Sequence, residues 1–154
     1  MPNHSIIVAL TEVLEQERCL LSQLDPAVYT APGTGAFRSS IVAHIRHNLD
    51  HFTSFFAGLP EGRIDYEMRR RDDGIARSPE HALADIGQQI AALEGLMQNE
   101  PESDCLHVRE ESESAAEGEL RWLDSSVGRE LQFLLGHTVH HHAIIALLLA
   151  QQGV

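Results

Sequence analysis

His137, His140, His141 and His142 crowd four imidazoles into six positions inside the apolar stretch "HTVHHHAII". Imidazole is a ligand for transition metals, a proton carrier and, when merely tolerated, a polar group that needs a partner. With about 100° per residue and His137 as zero, His141 falls near 40°, Leu134 near 60°, and Leu148 and Glu130 near 20°. On that projection His140 lies near 300° and His142 near 140°, on opposite flanks of the helix. The pair at i and i+4 therefore shares one stripe with core leucines, where two imidazoles suit one shared cation. A leftover affinity tag does not fit, because the cluster is internal and "AIIALLLA" follows it.

A second segment, "HIRHNLDH", supplies what that pair lacks. With His47 as zero, His51 lies near 40° and His44 near 60°, with Asp50 at about 300° beside them. Two helices that face each other with stacked imidazoles are one way a helix bundle builds an internal metal site. Three histidines with an open coordination position suit Zn, Ni, Fe or Mn as divalent ions, and leave room for water or a substrate. The residues alone leave the ligand choice open. The apolar arc of Ile41, Ile45, Phe52 and Phe55 centres near about 120°, so His44 and His51 point further inward than His47. Glu130 could be a fourth ligand, a general base or an orienting partner for an imidazole.

Four helices must position these side chains. The first is expected from Ser5 to Leu24, where Ile6, Leu10, Val13, Leu14, Leu20, Leu21 and Leu24 recur at helical spacing. "DPAVYTAPGTGAFR", with two prolines and two glycines, breaks it. The second opens at Ser39 or Ser40 and runs to Phe56. The third starts with Ser78 as N-cap and Pro79 at the first helical position, and continues to Met97. The fourth, capped by Ser125 or Ser126, reaches Gln151. Between the last two, "CLHV" and "ELRWL" could pair as a short β-hairpin. The fold class is all-α: a four-helix bundle with long crossover loops, one domain over residues 1–154.

Composition narrows the function classes. A formal charge of −12 repels phosphate backbones. The one basic run, Arg69 to Asp73, has its three arginines answered at once by two aspartates, so no nucleic-acid partner is expected. No run reaches the ~20 apolar residues of a membrane span, and the N-terminus lacks a signal-peptide pattern. The expectation is a cytoplasmic protein with no membrane partner. Cys19 and Cys105, outside any CxxC pair, read as small buried hydrophobes. The C-terminal end of the last helix is apolar nearly all round, through Ile144, Ile145, Leu147, Leu148 and Leu149, which suggests a homodimer. Tyr66 and Arg69 are placed at the mouth of a pocket by their loop position.

At this point the residues resemble the DinB-like (DinB/YfiT-like) four-helix-bundle metalloenzyme family. The resemblance rests on "SIVAHIRH", Ser40 to His47, joined by the late His-x-x-x-His of "HTVHH", His137 to His141. It implies a divalent metal held by His47, His137 and His141, with His44, His51 and Asp50 as reserve ligands or outer partners. Many relatives continue the second motif as Arg-Gly-Gln, where this chain has His142, Ala143 and Ile144. The family includes thiol-dependent S-transferases and a thiol-dependent isomerase. The implied function is a metal-dependent hydrolase or thiol S-transferase acting on a small molecule, with a low-molecular-weight thiol as a candidate partner and Glu130 as candidate catalytic residue. The competing expectation is a non-catalytic metal-binding or stress-response bundle, in which the metal is structural.

Overall fold

Three serines set the start of three long helices. Ser40 Oγ accepts from the Ala43 amide at 3.3 Å, Ser78 Oγ from Glu80 at 3.2 Å and Ser126 Oγ from Arg129 at 3.2 Å. Each cap satisfies a helix-end amide and contributes about 1 kcal/mol. In the computed structural model, which describes residues 3–34, 38–68, 73–99, 101, 103–109 and 121–154, these helices are α3 (Ile41–Gly58), α5 (Pro79–Gln98) and α6 (Val127–Gln151). They join α1 (His4–Gln23) and two five-residue helices, α2 (Pro26–Thr30) and α4 (Asp73–Arg77).

The protein is mainly helical. α1 packs on α5 and α6, and α3 packs on the same two, so each long helix has two long neighbours. Leu10 and Leu14 of α1, Ile45 and Phe52 of α3, Ile86 and Leu93 of α5, and Leu131 and Leu134 of α6 are fully buried between them.

The expected hairpin forms: β2 (Cys105–Arg109) pairs antiparallel with β3 (Trp122–Ser126), from Cys105 opposite Ser126 to Arg109 opposite Trp122. β3 is displaced towards the C-terminus relative to "ELRWL", so that its last residue is also the N-cap of α6. A two-residue strand, β1 (Arg63–Ile64), adds in parallel to the other edge of β2. Sequence gave no sign of β1, because two residues carry no alternation. α2 and α4 escape for the same reason, each being shorter than two helical turns. Asp25 caps α2 through the Ala27 amide at 2.7 Å, and the buried Tyr29 hydroxyl donates to the Ile75 carbonyl of α4 at 2.8 Å.

The reading of the two cysteines needs correction. Cys19 and Cys105 are exposed, because Cys19 faces away from the Leu14–Glu17–Leu21 stripe of α1 and Cys105 lies on the outer face of β2. Of the five apolar residues offered for dimerisation, Ile145 and Leu148 are buried, Ile144 and Leu149 pack partly against the core, and Leu147 is 53% exposed. α6 is also long and apolar enough to cross a bilayer by length and composition, although four histidines interrupt it. The core helix of a soluble protein meets the same test. Here Glu130, Thr138 and His141 are buried against neighbouring elements.

Gly58 ends α3 where the chain doubles back under it: an added Cβ would lie 2.2 Å from the Arg63 carbonyl oxygen. Gly87, in the middle of α5, has nothing within 4 Å of that position. Gly58→Ala should therefore lower stability by about 2 kcal/mol or more, and Gly87→Ala should raise it by roughly 0.5–1 kcal/mol. Chemical denaturation measures both, and equal effects of the two substitutions would contradict this packing.

Candidate metal centre

α3 and α6 run antiparallel and meet along their histidines. His47 Nε2 lies 3.2 Å from His137 Nε2, which lies 3.2 Å from His141 Nε2. One ring nitrogen from each of the three falls within 4.8 Å of the others, a group that could hold a metal ion. The spacing itself tests the fit. Nitrogens bound at 2.0–2.1 Å around a tetrahedral cation sit about 3.3 Å apart, close to both 3.2 Å contacts.

The neighbours fix which nitrogen faces inward. His141 Nδ1 is 2.9 Å from His44 Nδ1, and His44 Nε2 is 2.6 Å from Ser39 Oγ. With a proton on Nδ1, His141 donates to His44, and His44 donates onward to Ser39. That relay leaves the lone pair of His141 on Nε2, at the centre of the group. His137 Nδ1 is buried and has no partner among the described residues. Burial, and then the surrounding histidines, push His137 and His141 down to about 3. Both rings are thus neutral at physiological pH, as a ligand must be.

The reserve residues lie around this group rather than within it. His44 backs His141, with its own basicity lowered chiefly by burial. His51 Nδ1 donates to the His47 carbonyl at 2.8 Å, and its ring lies against that of His137 with centroids 4.1 Å apart. Asp50 is buried on α3 and outside the three-histidine group. His140 is exposed on the flank of α6.

Glu130 is fully buried but turned to other partners. Its Oε2 accepts from the Tyr66 hydroxyl at 2.8 Å, and its Oε1 accepts from Ser125 at 2.5 Å and from Arg129 at 2.8 Å. It does not join the histidine group. Tyr66 sits deeper than a pocket mouth: it is 5% exposed and stacks on His51 with centroids 5.3 Å apart. Burial, and then the Glu130 charge, raise its hydroxyl far above the usual range, so it stays a donor. Arg69, its expected companion, lies outside the described residues.

Sequence reasoning missed a second polar layer, built from the residue that follows each of the three histidines. Asn48 follows His47, Thr138 follows His137, and His142 follows His141. Thr138 Oγ1 donates to Asn48 Oδ1 at 3.0 Å, and Asn48 Nδ2 donates to Glu17 Oε2 of α1 at 3.2 Å. His142 Nε2 donates to the same oxygen at 2.7 Å. The available signal was Glu17, an acid on the apolar stripe of α1 between Leu14 and Leu21.

A mainly helical chain that brings three imidazole nitrogens of two antiparallel helices to one point has an arrangement that could hold a metal ion between its helices. More closely, the chain is a member of the DinB superfamily, whose family pattern matches residues 9–145 and so spans both histidine segments. No curated protein and no solved structure matches it.

The depressed histidines set an acid limit on the metal-free fold. Folded His137 and His141 take up protons only near pH 3, whereas unfolded histidine does so near 6.5. Between those values the unfolded chain binds more protons, so stability should be full above about pH 6.5 and decline as pH falls towards 3. Melting temperatures of the chelator-treated protein measure this. The double variant His137→Gln/His141→Gln should show a shallower decline, and an unchanged slope would refute the assignment.

Proposed function

We propose that this protein is a divalent-metal-dependent enzyme acting on a small molecule, by hydrolysis or by thiol transfer, with the metal on His47, His137 and His141. The observation that carries the proposal is the convergence of three imidazole nitrogens within 4.8 Å of one another, two of the pairs at 3.2 Å. The four long helices then form the bundle that encloses the site. The donor set suits Zn, Ni, Fe or Mn as divalent ions. When bound, such a cation favours deprotonation of a small nucleophile, water or a low-molecular-weight thiol.

The chain's own residues supply orientation and a base. His44 and Ser39 hold His141 in the tautomer that aims Nε2 inward. His51, whose Nδ1 donates to the His47 carbonyl, keeps Nε2 as its basic nitrogen and lies against His137. We assign it the general-base role for which Glu130 was the sequence candidate. Glu130 acts through Tyr66, which it fixes against His51. A cytoplasmic location fits a site built on neutral histidines with no disulfide to form, and free thiols are abundant in that compartment.

His137→Ala or His141→Ala should remove most of the bound metal from purified protein, while the exposed His140→Ala should leave it in place. Elemental analysis reads this directly. In a screen of thiol-plus-electrophile and ester substrates, chelation should abolish turnover. His51→Gln should retain the metal, lose turnover by at least about tenfold, and lose the acidic limb of the pH profile, the fall in rate at low pH that protonation of a base causes. A fully loaded wild type that turns nothing over, yet loses melting temperature sharply on chelation, would favour a structural metal.

The exposed Val139 and Leu147 on the outer side of α6 are the face through which we propose a homodimer. Light scattering should give twice the 17.1 kDa chain mass at micromolar concentration, and Leu147→Glu should halve it. A monomeric wild type would end this proposal.

A further inference from the structure

Between α1 and α6 lies a groove of about 280 Å³. Its α6 residues, His142, Ile145, Ala146 and Leu149, fall at about 80° to 180° around the helix from His137, whereas His141 falls within about 40°. The groove is therefore a separate place from the histidine centre, on the side of α6 that faces α1. Leu20, Ile145, Ala146 and Leu149 make its apolar walls. Gln16, Glu17 and His142 bring polarity to its lining.

Glu17 is 1% exposed, and its two oxygens are treated unequally. Oε2 takes hydrogens from both His142 and Asn48, while Oε1 is buried with no partner among the described residues. A buried acceptor left unpaired costs about 1–3 kcal/mol, more when it carries charge. The two donors inside the protein account for Oε2 alone, and on the otherwise apolar stripe of Leu14 and Leu21 nothing among the described residues serves Oε1. Glu17 lines the groove, and its unpaired carboxylate oxygen is a receptor for a donor that arrives with the ligand.

We propose that this groove is a binding site for a small organic cation, a primary ammonium on a short apolar chain. The ammonium donates to Glu17 Oε1, and the chain lies along Leu20, Ile145, Ala146 and Leu149. Charge sets the sign of the head group: a lone carboxylate oxygen repels anions, and the protein as a whole carries −12. A charge-assisted bond at a desolvated site also exceeds a neutral one about twofold. Size sets the chain: 280 Å³ corresponds to about nine water volumes, enough for an alkylamine of six or seven carbons. A metal ion fits poorly, with one carboxyl, one imidazole, one neutral amide and otherwise apolar walls. A second copy of the chain has no matching head group either, because all 11 basic side chains are arginines and the sequence contains no lysine.

The test is titration of the as-purified protein with n-hexylammonium chloride, 1-hexanol and sodium hexanoate, followed by calorimetry and by the methyl resonances of Ile145 and Leu149. Hexylammonium should saturate, binding about tenfold or more tighter than hexanol, and hexanoate should not bind. Glu17→Gln should reduce the preference for ammonium over alcohol to less than about twofold. Ala146→Phe, at an exposed position on the groove wall, should block all three with helicity and melting temperature unchanged. It carries the test alone if Glu17→Gln does not fold. Equal affinity for hexanol and hexylammonium, hexylammonium binding that survives Ala146→Phe, or no saturation at millimolar ligand would each overturn the proposal.

Discussion

Everything at the centre of this protein depends on the rotational setting of α3 against α6. The three convergent imidazoles occupy one edge of that contact, and the residues after them occupy the next. Because successive residues on a helix are about 100° apart, the rotation that aims His47, His137 and His141 at one another also turns Asn48, Thr138 and His142 towards α1. There, Glu17 collects them: His142 directly, Thr138 through Asn48. Rolling either helix by a few tens of degrees would open the histidine group and leave the buried Asn48 side chain without its partners Thr138 and Glu17. Such an orphan costs about 1–3 kcal/mol, a large part of the stability of a domain this size. The hydrogen-bonded layer therefore acts as a rotational lock on the histidines, without touching the nitrogens that would bind a metal.

The other end of the site is held by the small sheet. β3 delivers the chain into α6 with no intervening loop, since Ser126 ends the strand and caps the helix. Glu130 follows within the first turn, and Ser125 on β3 reaches its carboxyl. Tyr66, just beyond β1, closes the same carboxyl from the opposite edge and stacks on His51. A two-residue strand contributes little stability by itself. Its effect is positional: by pairing with β2 it places Tyr66 between Glu130 and the histidines.

The sequence was most legible where a period repeats over several turns. The long helices and two of the caps, Ser78 and the Ser125/Ser126 alternative, follow from apolar spacing and serine chemistry, and the hairpin follows from two short strand-like runs. The histidines that meet are visible as two stripes, but projection alone favoured His44 and His51 over His47. The structure explains the discrepancy. His47 is rotated towards α6, while His51 is drawn to the His47 carbonyl and His44 to Ser39 and His141. Such choices depend on the partner helix, which a single-helix projection does not contain. The Glu17 layer was illegible for the same reason, since its members lie on three helices and up to 125 positions apart. Glu130 shows the converse, since its placement on the stripe says nothing of which way a flexible carboxyl turns.

The two buried acids that flank the histidines, Glu130 and Glu17, clarify the electrostatics of the whole arrangement. Burial, and then the neighbouring acid, raises a tyrosine beside each, Tyr66 next to Glu130 and Tyr29 next to Glu17. Neither offers an oxygen to the histidine group. Glu130 precedes His137 by two helical turns, so its charge lies on the order of 10 Å from the centre. At an effective dielectric near 20, a divalent cation at that distance gains roughly 3 kcal/mol from each such charge. A carboxylate bound directly would attract the ion more strongly, but would also neutralise half of its charge and occupy a coordination position. Acids held at a distance by tyrosine, serine, asparagine and histidine donors instead stabilise a cation on neutral ligands, and leave its charge to act on whatever occupies the remaining position. If a metal binds there, that division of labour would favour an open centre over a closed one, and the hydrogen bonds that turn Glu17 and Glu130 away would be its source.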